Sequence, residues 1–239
     1  MENSENKSLI STGGSNLAKT EKLLSITQKI LSEIKPKYES VKIGNQEWMT
    51  RNLDVDRFRN GDLIPHVKSD EEWVKVGQNG QPAWCYYKNI PENGKKYGKL
   101  YNWFAVADSR GLAPLGWHIP SDDEWTSLVG YMGEDVAGHK MKSVEGWEAK
   151  IKGVFYNLNG DNSSGFNALP GGSRFGNSNF YDIRSEAVFW SATDDNGWFA
   201  WCRILSSNSH LIKVEKYHCR VIRHDEYKLG GFSVRILLG

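Results

Sequence analysis

Cysteine is scarce in this sequence, and its few cysteines are poorly placed for cross-linking. Among 239 residues there are three, Cys85, Cys202 and Cys219. An odd number cannot pair fully within one chain, and no two of them stand at the C-x-x-C spacing common in structural zinc sites. We therefore expect neither a disulfide framework nor a bound metal, and no cofactor.

An excess of charge of one sign is also missing. The chain has 30 lysines and arginines against 29 aspartates and glutamates, which gives a formal net charge of +1. Nucleic-acid binding depends on a positive surface that neutralises phosphates. We therefore expect no nucleic-acid partner.

Long apolar runs are absent too. The sequence contains no stretch of about 18 apolar residues, which is the length that a membrane helix needs. Residues 1–14 lack the basic and then apolar order of a cleaved secretion signal. We expect no membrane insertion, and a location either in the cytoplasm or outside the cell as part of an assembled particle.

Familiar catalytic motifs are missing as well. The sequence contains no nucleophile elbow, P-loop, H-E-x-x-H or dinucleotide-binding fingerprint. Asp122 and Asp123 with His118 would be one candidate for a hydrolytic or metal site, but a helix start explains both acids without any chemistry. Isolated histidines are more often hydrogen-bonded structure than catalytic groups. We expect a protein that is not an enzyme.

The sequence is rich in aromatic residues and glycine, with 10 Trp, 10 Tyr, 9 Phe and 24 Gly. This composition predicts a loop-rich domain whose core is packed with large rings and whose tight turns need glycine. The expected core rings are Trp48, Trp103, Trp117, Trp125, Trp190 and Phe232.

The pattern along the chain divides it into three parts. Residues 1–14 are polar and are expected to be a disordered lead. Residues 15–36 carry leucines seven apart and end at a proline, which predicts an amphipathic helix. This helix either docks on its own domain or joins the chain to a second copy or another partner. Residues 37–239 are expected to form the globular domain.

Local signals within the domain predict helices and turns. Gly44 and Asn45 favour a hairpin turn, and an apolar face over residues 100–107 predicts a first core helix. Ser121 and Glu124 have the spacing of a capping box, which predicts the start of a second helix.

Three strand candidates close the chain, at residues 187–193, 199–206 and 231–238. Together with the two helices they predict an α+β fold, in which the helices pack on a small, twisted, mostly antiparallel sheet with long ordered loops.

Seven ordered motifs connect the chain to a known family. They read EWMTRNLDV, YGKLYNWFAV, GLAPLGWHIPSDDEW, FNALPGGSR, FWSAT, AWCRIL and GFSVR. In order and spacing they resemble the Fibrobacter succinogenes major paralogous domain, a family common in Bacteroidetes, over residues 40–239.

A second resemblance concerns the fold. The P-S-x-x-E-W helix start and the closing G-F-x-V-R segment are similar to those of the C-type-lectin-like fold, which formylglycine-generating enzymes share with the variable proteins of diversity-generating retroelements. Cys202 and Cys219 are 17 apart, unlike the closely spaced cysteine pair of those enzymes. The EPN, QPD and WND motifs of calcium-dependent lectins are also missing. The resemblance therefore implies a fold and leaves the activity open.

The retroelement proteins vary in the last strands before their closing motif, and the resemblance implies a ligand-facing surface at the same place here. Its ligand would be a protein or a glycan. The implied residues are Trp198, Phe199, Trp201, Arg203, Ser206, Asn208, His210, Tyr217, His218 and Tyr227. For Trp198 and Trp201 a place in the core is an alternative, since tryptophan is mostly buried.

Other classes of function remain open at this point. His218, Cys219 and His224 are metal-binding residue types, although neighbours on a strand point to opposite faces. The chain could then be a divergent metal-dependent oxidase or hydrolase, or a structural tip component of a phage or pilus assembly. A recognition module, such as a retroelement variable protein or a phage receptor-binding protein, is the leading hypothesis.

Overall fold

The computed structural model describes residues 16–27, 38–151, 154–176, 178–207 and 219–239. The chain divides into two compact units, Met1–Lys37 and Tyr38–Gly239. In the first unit, residues 16–27 form helix α1. The predicted lead over 1–14 and the end of the predicted first helix lie outside the described residues.

The second unit combines short helices with short strands. Its helices are α2 (Asp70–Gln78), α3 (Pro91–Tyr97), α4 (Trp103–Val106), α5 (Asp122–Met132) and α6 (Ala137–Met141), with a 3-10 helix at Tyr87–Asn89. Its strands are β1 (Ser40–Ile43), β2 (Gln46–Met49), β3 (Trp84–Cys85), β4 (Leu100–Tyr101), β5 (Trp117–His118), β6 (Glu148–Ile151), β7 (Val154–Asn157), β8 (Ser173–Arg174), β9 (Phe180–Tyr181), β10 (Glu186–Asn196), β11 (Phe199–Ser206), β12 (Ile222–Tyr227) and β13 (Leu237–Leu238).

The strands form several small antiparallel sheets, so the predicted α+β class is confirmed. The largest has the order β1-β2-β13-β5, and the next has the order β10-β11-β12. The predicted hairpin turn joins β1 to β2, where Gly44 has a φ of +61° that glycine adopts without strain. Among the described residues, no helix has both the length and the apolar character to cross a bilayer.

The first and last residues of the second unit lie against the same segment. The ring of Tyr38 meets Trp117 edge-on at 6.0 Å between centroids. The N–H of Gly239 donates to the carbonyl of Gly116 at 3.2 Å. The sheet that contains β13 therefore brings the two ends of this unit together.

Strands β10 and β11 separate two apolar clusters. Val188 and Trp190 pack into one cluster together with Cys202. Phe189 and Leu205 pack into the other. This alternation is what the two-residue side-chain period of a strand produces when both faces of a sheet are covered.

The predicted aromatic core is confirmed. All six expected rings are buried, with Trp48, Trp125 and Trp190 fully inaccessible to solvent. Trp48 and Trp125 lie 4.7 Å apart between ring centroids. The core is thus fixed by contacts between large rigid side chains.

Helix α5 begins as the sequence predicts. The hydroxyl of Ser121 accepts from the N–H of Glu124, and the carboxylate of Glu124 accepts from the N–H of Ser121 at 2.8 Å. Helix α2, which the sequence analysis does not predict, also starts with a serine cap, because the hydroxyl of Ser69 accepts from the N–H of Glu72 at 3.1 Å.

Two predictions of local structure were wrong in part. The first core helix is confined to α4, because Leu100 belongs to β4 and Asn102 caps the helix after it. The expected last strand is interrupted. Phe232 and Ser233 make isolated bridges to different partners before β13 begins.

Candidate binding surface

The tip of the β10–β11 hairpin is held by one buried lysine. Gly197 and Trp198 make the turn between the two strands. The ammonium of Lys228 donates to a carboxylate oxygen of Asp194 at 2.8 Å and to the carbonyl of Gly197 at 3.0 Å. The N–H of Lys228 donates to the carbonyl of Trp198 at 3.0 Å. These bonds give the exposed turn a defined geometry.

Four aromatic residues at and below this turn form what we call the aromatic surface, namely Trp198, Phe199, Trp201 and Tyr227. Trp198 is 69% exposed and Tyr227 is 54% exposed, whereas Phe199 and Trp201 are half-buried. Phe199 lies directly opposite Tyr227 in the β11–β12 pairing, and their ring centroids are 4.2 Å apart. Exposed rings on a rigid sheet offer contact area at little entropic cost.

Trp201 is covered on one side by an arginine. The guanidinium carbon of Arg223 lies 3.3 Å from the ring centroid of Trp201. In this stacked arrangement the face of the ring attracts the positive charge of the arginine. The Nε of Arg223 donates to the carboxylate of Asp122 at 2.9 Å. Asp225 stands opposite Trp201 in the strand pairing.

A buried ion pair lies beside the aromatic surface, because Arg203 is two positions after Trp201 on β11 and shares its face of the sheet. Arg203 is 2% exposed, and its Nη1 donates to Asp122 at 2.5 Å. Its Nη2 donates to the hydroxyl of Thr126 at 2.9 Å. Burial lowers the pKa of Arg203, and the neighbouring Asp122 carboxylate opposes that shift. These bonds attach β11 to the start of α5.

An apolar pocket adjoins the aromatic surface. It has a volume of about 380 Å³ and is lined by Phe175, Gly176, Tyr227 and Leu229. Phe175 is held edge-on against the ring of Phe232 at 6.2 Å between centroids. Tyr227 therefore belongs both to the aromatic surface and to the wall of the pocket.

Two carboxylates lie close to the aromatic surface without a cationic lysine or arginine partner in the described part of the chain. Asp195 stands beside the hairpin turn and accepts from the side-chain amide of Asn196 at 2.7 Å. Asp225 is 3.9 Å from the nearer ring nitrogen of His224. Among the described residues, this region therefore has two carboxylates that no lysine or arginine neutralises.

The structure brings together four of the ten residues that the resemblance implied, and these are the four of the aromatic surface. The exposure of Trp198 shows that it is not a core residue. Arg203 and Ser206 are buried and bonded to Asp122 and Glu186, so they are not accessible to a ligand and we leave them out of the surface. The remaining four, Asn208, His210, Tyr217 and His218, lie outside the described residues.

Sequence reasoning missed several residues of this region, among them Phe175, Arg223, Asp225 and Leu229. The last three belong to β12 or the turn after it, which is not among the three strand candidates because charged residues hide the alternation of the strand. Phe175 comes from a distant segment, and no local pattern indicates that it meets β12.

The residues of the alternative hydrolytic and metal-site hypotheses have other roles or surroundings in the structure. The ring of His118 bonds Glu124 at 2.9 Å between Nε2 and Oε1, so it supports the helix cap and does not join an Asp122–Asp123 pair. His224 faces Glu226 at 3.5 Å. Burial raises the pKa of the Cys219 thiol, which disfavours the reactive thiolate. Among the described residues, no group of three metal-binding side chains could hold an ion.

Comparison with known proteins gives one match. A family model described as Fibrobacter succinogenes major domain matches residues 41–237. No curated protein and no solved structure matches the chain. The matched residues take in the β10–β11 hairpin, β12 and the apolar pocket.

Proposed function

Since the chain belongs to the Fibrobacter succinogenes major domain family, whose name states no activity, we propose a function from its surface, that of a non-enzymatic recognition module for a protein or glycan ligand. The observation that carries the proposal is the exposure of Trp198 and Tyr227 at the tip of a sheet. Large exposed aromatic residues dominate the energetics of many interfaces.

The contacts around the rings support this proposal. Recognition surfaces gain affinity when their side chains are already held in the bound geometry. Lys228 fixes the hairpin turn, and the Arg203–Asp122 pair fixes β11 against α5. The surface is therefore rigid where it is attached and accessible where it would meet a ligand.

We further propose that the domain has a C-type-lectin-like fold and acts as a variable protein of a diversity-generating retroelement. The support is the resemblance of the helix start and of the closing motif, together with a surface that precedes that motif. Sequence variation confined to residues 198–228 among close relatives would agree with this role. Variation spread evenly over the domain would contradict it.

A binding screen tests the recognition function. We expect the chain to bind at least one glycan or protein on arrays, and the double variant Trp198→Ala/Tyr227→Ala to lose that binding. Tyr131→Ala is the matched control, because Tyr131 is 70% exposed on α5 and lies outside the aromatic surface. Equal loss in the control, or binding that survives the double variant, would refute the proposed surface.

A further inference from the structure

We infer that the ligand is a protein segment in which an apolar side chain stands next to a lysine or arginine. This inference rests on the proposed function and narrows it from protein or glycan to protein. The apolar side chain would enter the pocket beside Tyr227, and the cationic side chain would reach the carboxylates of Asp195 and Asp225.

The walls of the pocket determine what it can hold. Its side chains are those of Phe175, Leu229 and Tyr227, so one phenolic hydroxyl is the only side-chain hydrogen-bonding group among the described residues that line it. A sugar carries hydroxyls around its whole ring, and each buried hydroxyl without a partner costs binding energy. An aliphatic or aromatic side chain has no such groups to satisfy. A volume of about 380 Å³ lies at the small end of ligand pockets, which suits a single side chain.

The charges beside the pocket indicate a cationic neighbour. Asp195 and Asp225 have no lysine or arginine partner among the described residues, and Asp225 lies two positions before Tyr227 on β12. Arg223 is four positions before Tyr227, and it already shares Asp122 with Arg203. The pocket end of the surface is therefore the acidic end.

The exposed rings suit such a cation as well. Trp198 is 69% exposed, and Asp195 lies three positions before it, near the end of β10. A lysine or arginine stem can lie along an indole ring while its charged head approaches a carboxylate. The aromatic surface would thus contact the stem of one side chain, and the carboxylates would bind its charged head.

Defined probes test this inference. The first is a blocked pentapeptide with phenylalanine between two lysines. The second replaces the lysines with glutamates, the third replaces phenylalanine with alanine, and chitotriose and maltotriose serve as glycan probes. Binding is followed by the shift of the Trp198 indole signal in NMR spectra, which a Trp198→Phe variant assigns.

We expect the lysine–phenylalanine peptide to bind at least about tenfold more tightly than the other probes. Gly176→Leu should weaken the binding of this peptide by about tenfold, because the new side chain fills the pocket. The variant should still fold, since a Cβ at this position makes only an ordinary contact with Leu229 at 3.5 Å. Gly130→Leu is the matched control, since a Cβ there meets nothing within 4 Å. Unchanged peptide binding in Gly176→Leu would overturn the inference.

The charge requirement is tested separately. The double variant Asp195→Asn/Asp225→Asn should bind the lysine–phenylalanine peptide more weakly, and its binding of the peptide with alanine should remain weak. Glu145→Gln should change the binding of neither peptide. Equal binding of the glutamate peptide, or no saturable binding of any peptide, would refute the inference. A glycan probe that shifts the Trp198 signal in a Tyr227-dependent way would also refute it while leaving the recognition function intact, and the array screen judges that function independently.

Discussion

Arg235 shows how single buried cations organise the long loops of this protein. Its guanidinium donates to the carbonyls of Met49, Phe166 and Asn167 and to the side-chain oxygen of Asn52, at 2.7–2.9 Å. Arginine has five donors in a planar fork, so one side chain can hold several backbone segments. This bonding accounts for the arginine of the closing GFSVR motif in structural terms.

Replacement of Arg203 tests the buried support of the aromatic surface. Arg203→Met leaves the Asp122 carboxylate without its buried partner, and we expect the free energy of unfolding to fall by about 3 kcal/mol. Chemical denaturation measures this change. Arg184→Met is the matched control, because the Arg184–Glu148 pair is solvent-exposed and should contribute less than about 1 kcal/mol. Similar losses in both variants would contradict a supporting role.

Glu186 makes stability depend on pH. Burial, assisted by the charge of Asp182, raises the pKa of Glu186 to about 7 from an ordinary value of 4.5. The folded state thus prefers the protonated carboxyl. Its stabilising contribution is complete below about pH 4.5 and is lost as the pH rises through about 7.

Comparison of Glu186→Gln with the wild type isolates this effect. We expect the variant to gain stability relative to the wild type between pH 5 and pH 8, by a difference that approaches about 3 kcal/mol. Urea unfolding at four pH values in this range measures it, and Glu145→Gln should show no such trend. A difference that stays constant with pH would contradict the raised pKa.

At the residue scale, sequence predicts what depends on size and polarity alone. The core positions of Trp48, Trp125 and Trp190 follow from their large apolar rings. The pairing of Asp122 with Arg203 could not be predicted, because these residues are 81 positions apart and meet only in the folded chain. The sequence explains Asp122 by the favourable charge of an acidic residue at a helix start. This accounts for the acidic residue but not for its burial.

Two helices of the domain begin on the same five-residue pattern. Residues 69–73 read SDEEW and residues 121–125 read SDDEW. In α2 the first acid bonds Arg174 at 2.8 Å, as in α5 the first acid bonds Arg203. Each helix start is thus fixed by a serine cap, by a buried tryptophan and by an arginine from a distant strand.

Removal of either cap should cost a similar amount. We expect Ser69→Ala and Ser121→Ala each to lower the free energy of unfolding by about 1 kcal/mol, because a helix N–H loses its acceptor. Denaturant titration measures both. Ser127→Ala is the control, since Ser127 lies inside α5 and caps nothing. A loss at Ser121 alone would show that the two helix starts are not equivalent.

At the element scale, prediction succeeded where the local pattern was complete. The strand over 199–206 coincides with β11, and the capping box of α5 was identified. The same pattern in α2 was overlooked, although its signal was present. β12 was missed for a physical reason, because its edge position leaves charged residues on an exposed strand.

Residues 38–239 should fold without the preceding segment. Within the described part of the chain, the three buried clusters consist of residues between Ile43 and Leu237. We expect a chain that begins at Tyr38 to keep its thermal midpoint within about 4 °C of the full chain. Calorimetry measures this, and a larger drop would show that the first unit stabilises the second. Light scattering on the same pair of proteins decides whether residues 15–36 join copies of the chain.

For the whole molecule, the α+β class followed from the order of helix and strand signals. The arrangement of several small sheets did not, because short strands paired through isolated bridges carry little periodicity. One part of the candidate site, its aromatic surface, came from the resemblance. The pocket that adjoins it is formed by chain segments far apart in sequence, and local patterns contain no information about such contacts.

The shared contact of Tyr38 and Gly239 with the Gly116–Trp117 segment has an engineering consequence. A circular permutant, in which a short flexible bridge leads from residue 239 back to residue 38, could open instead at the exposed Asn60–Gly61 turn. Its strands would keep their arrangement in space, but their order along the sequence would change. Such a protein would offer attachment points for a display scaffold at a second position on the same domain.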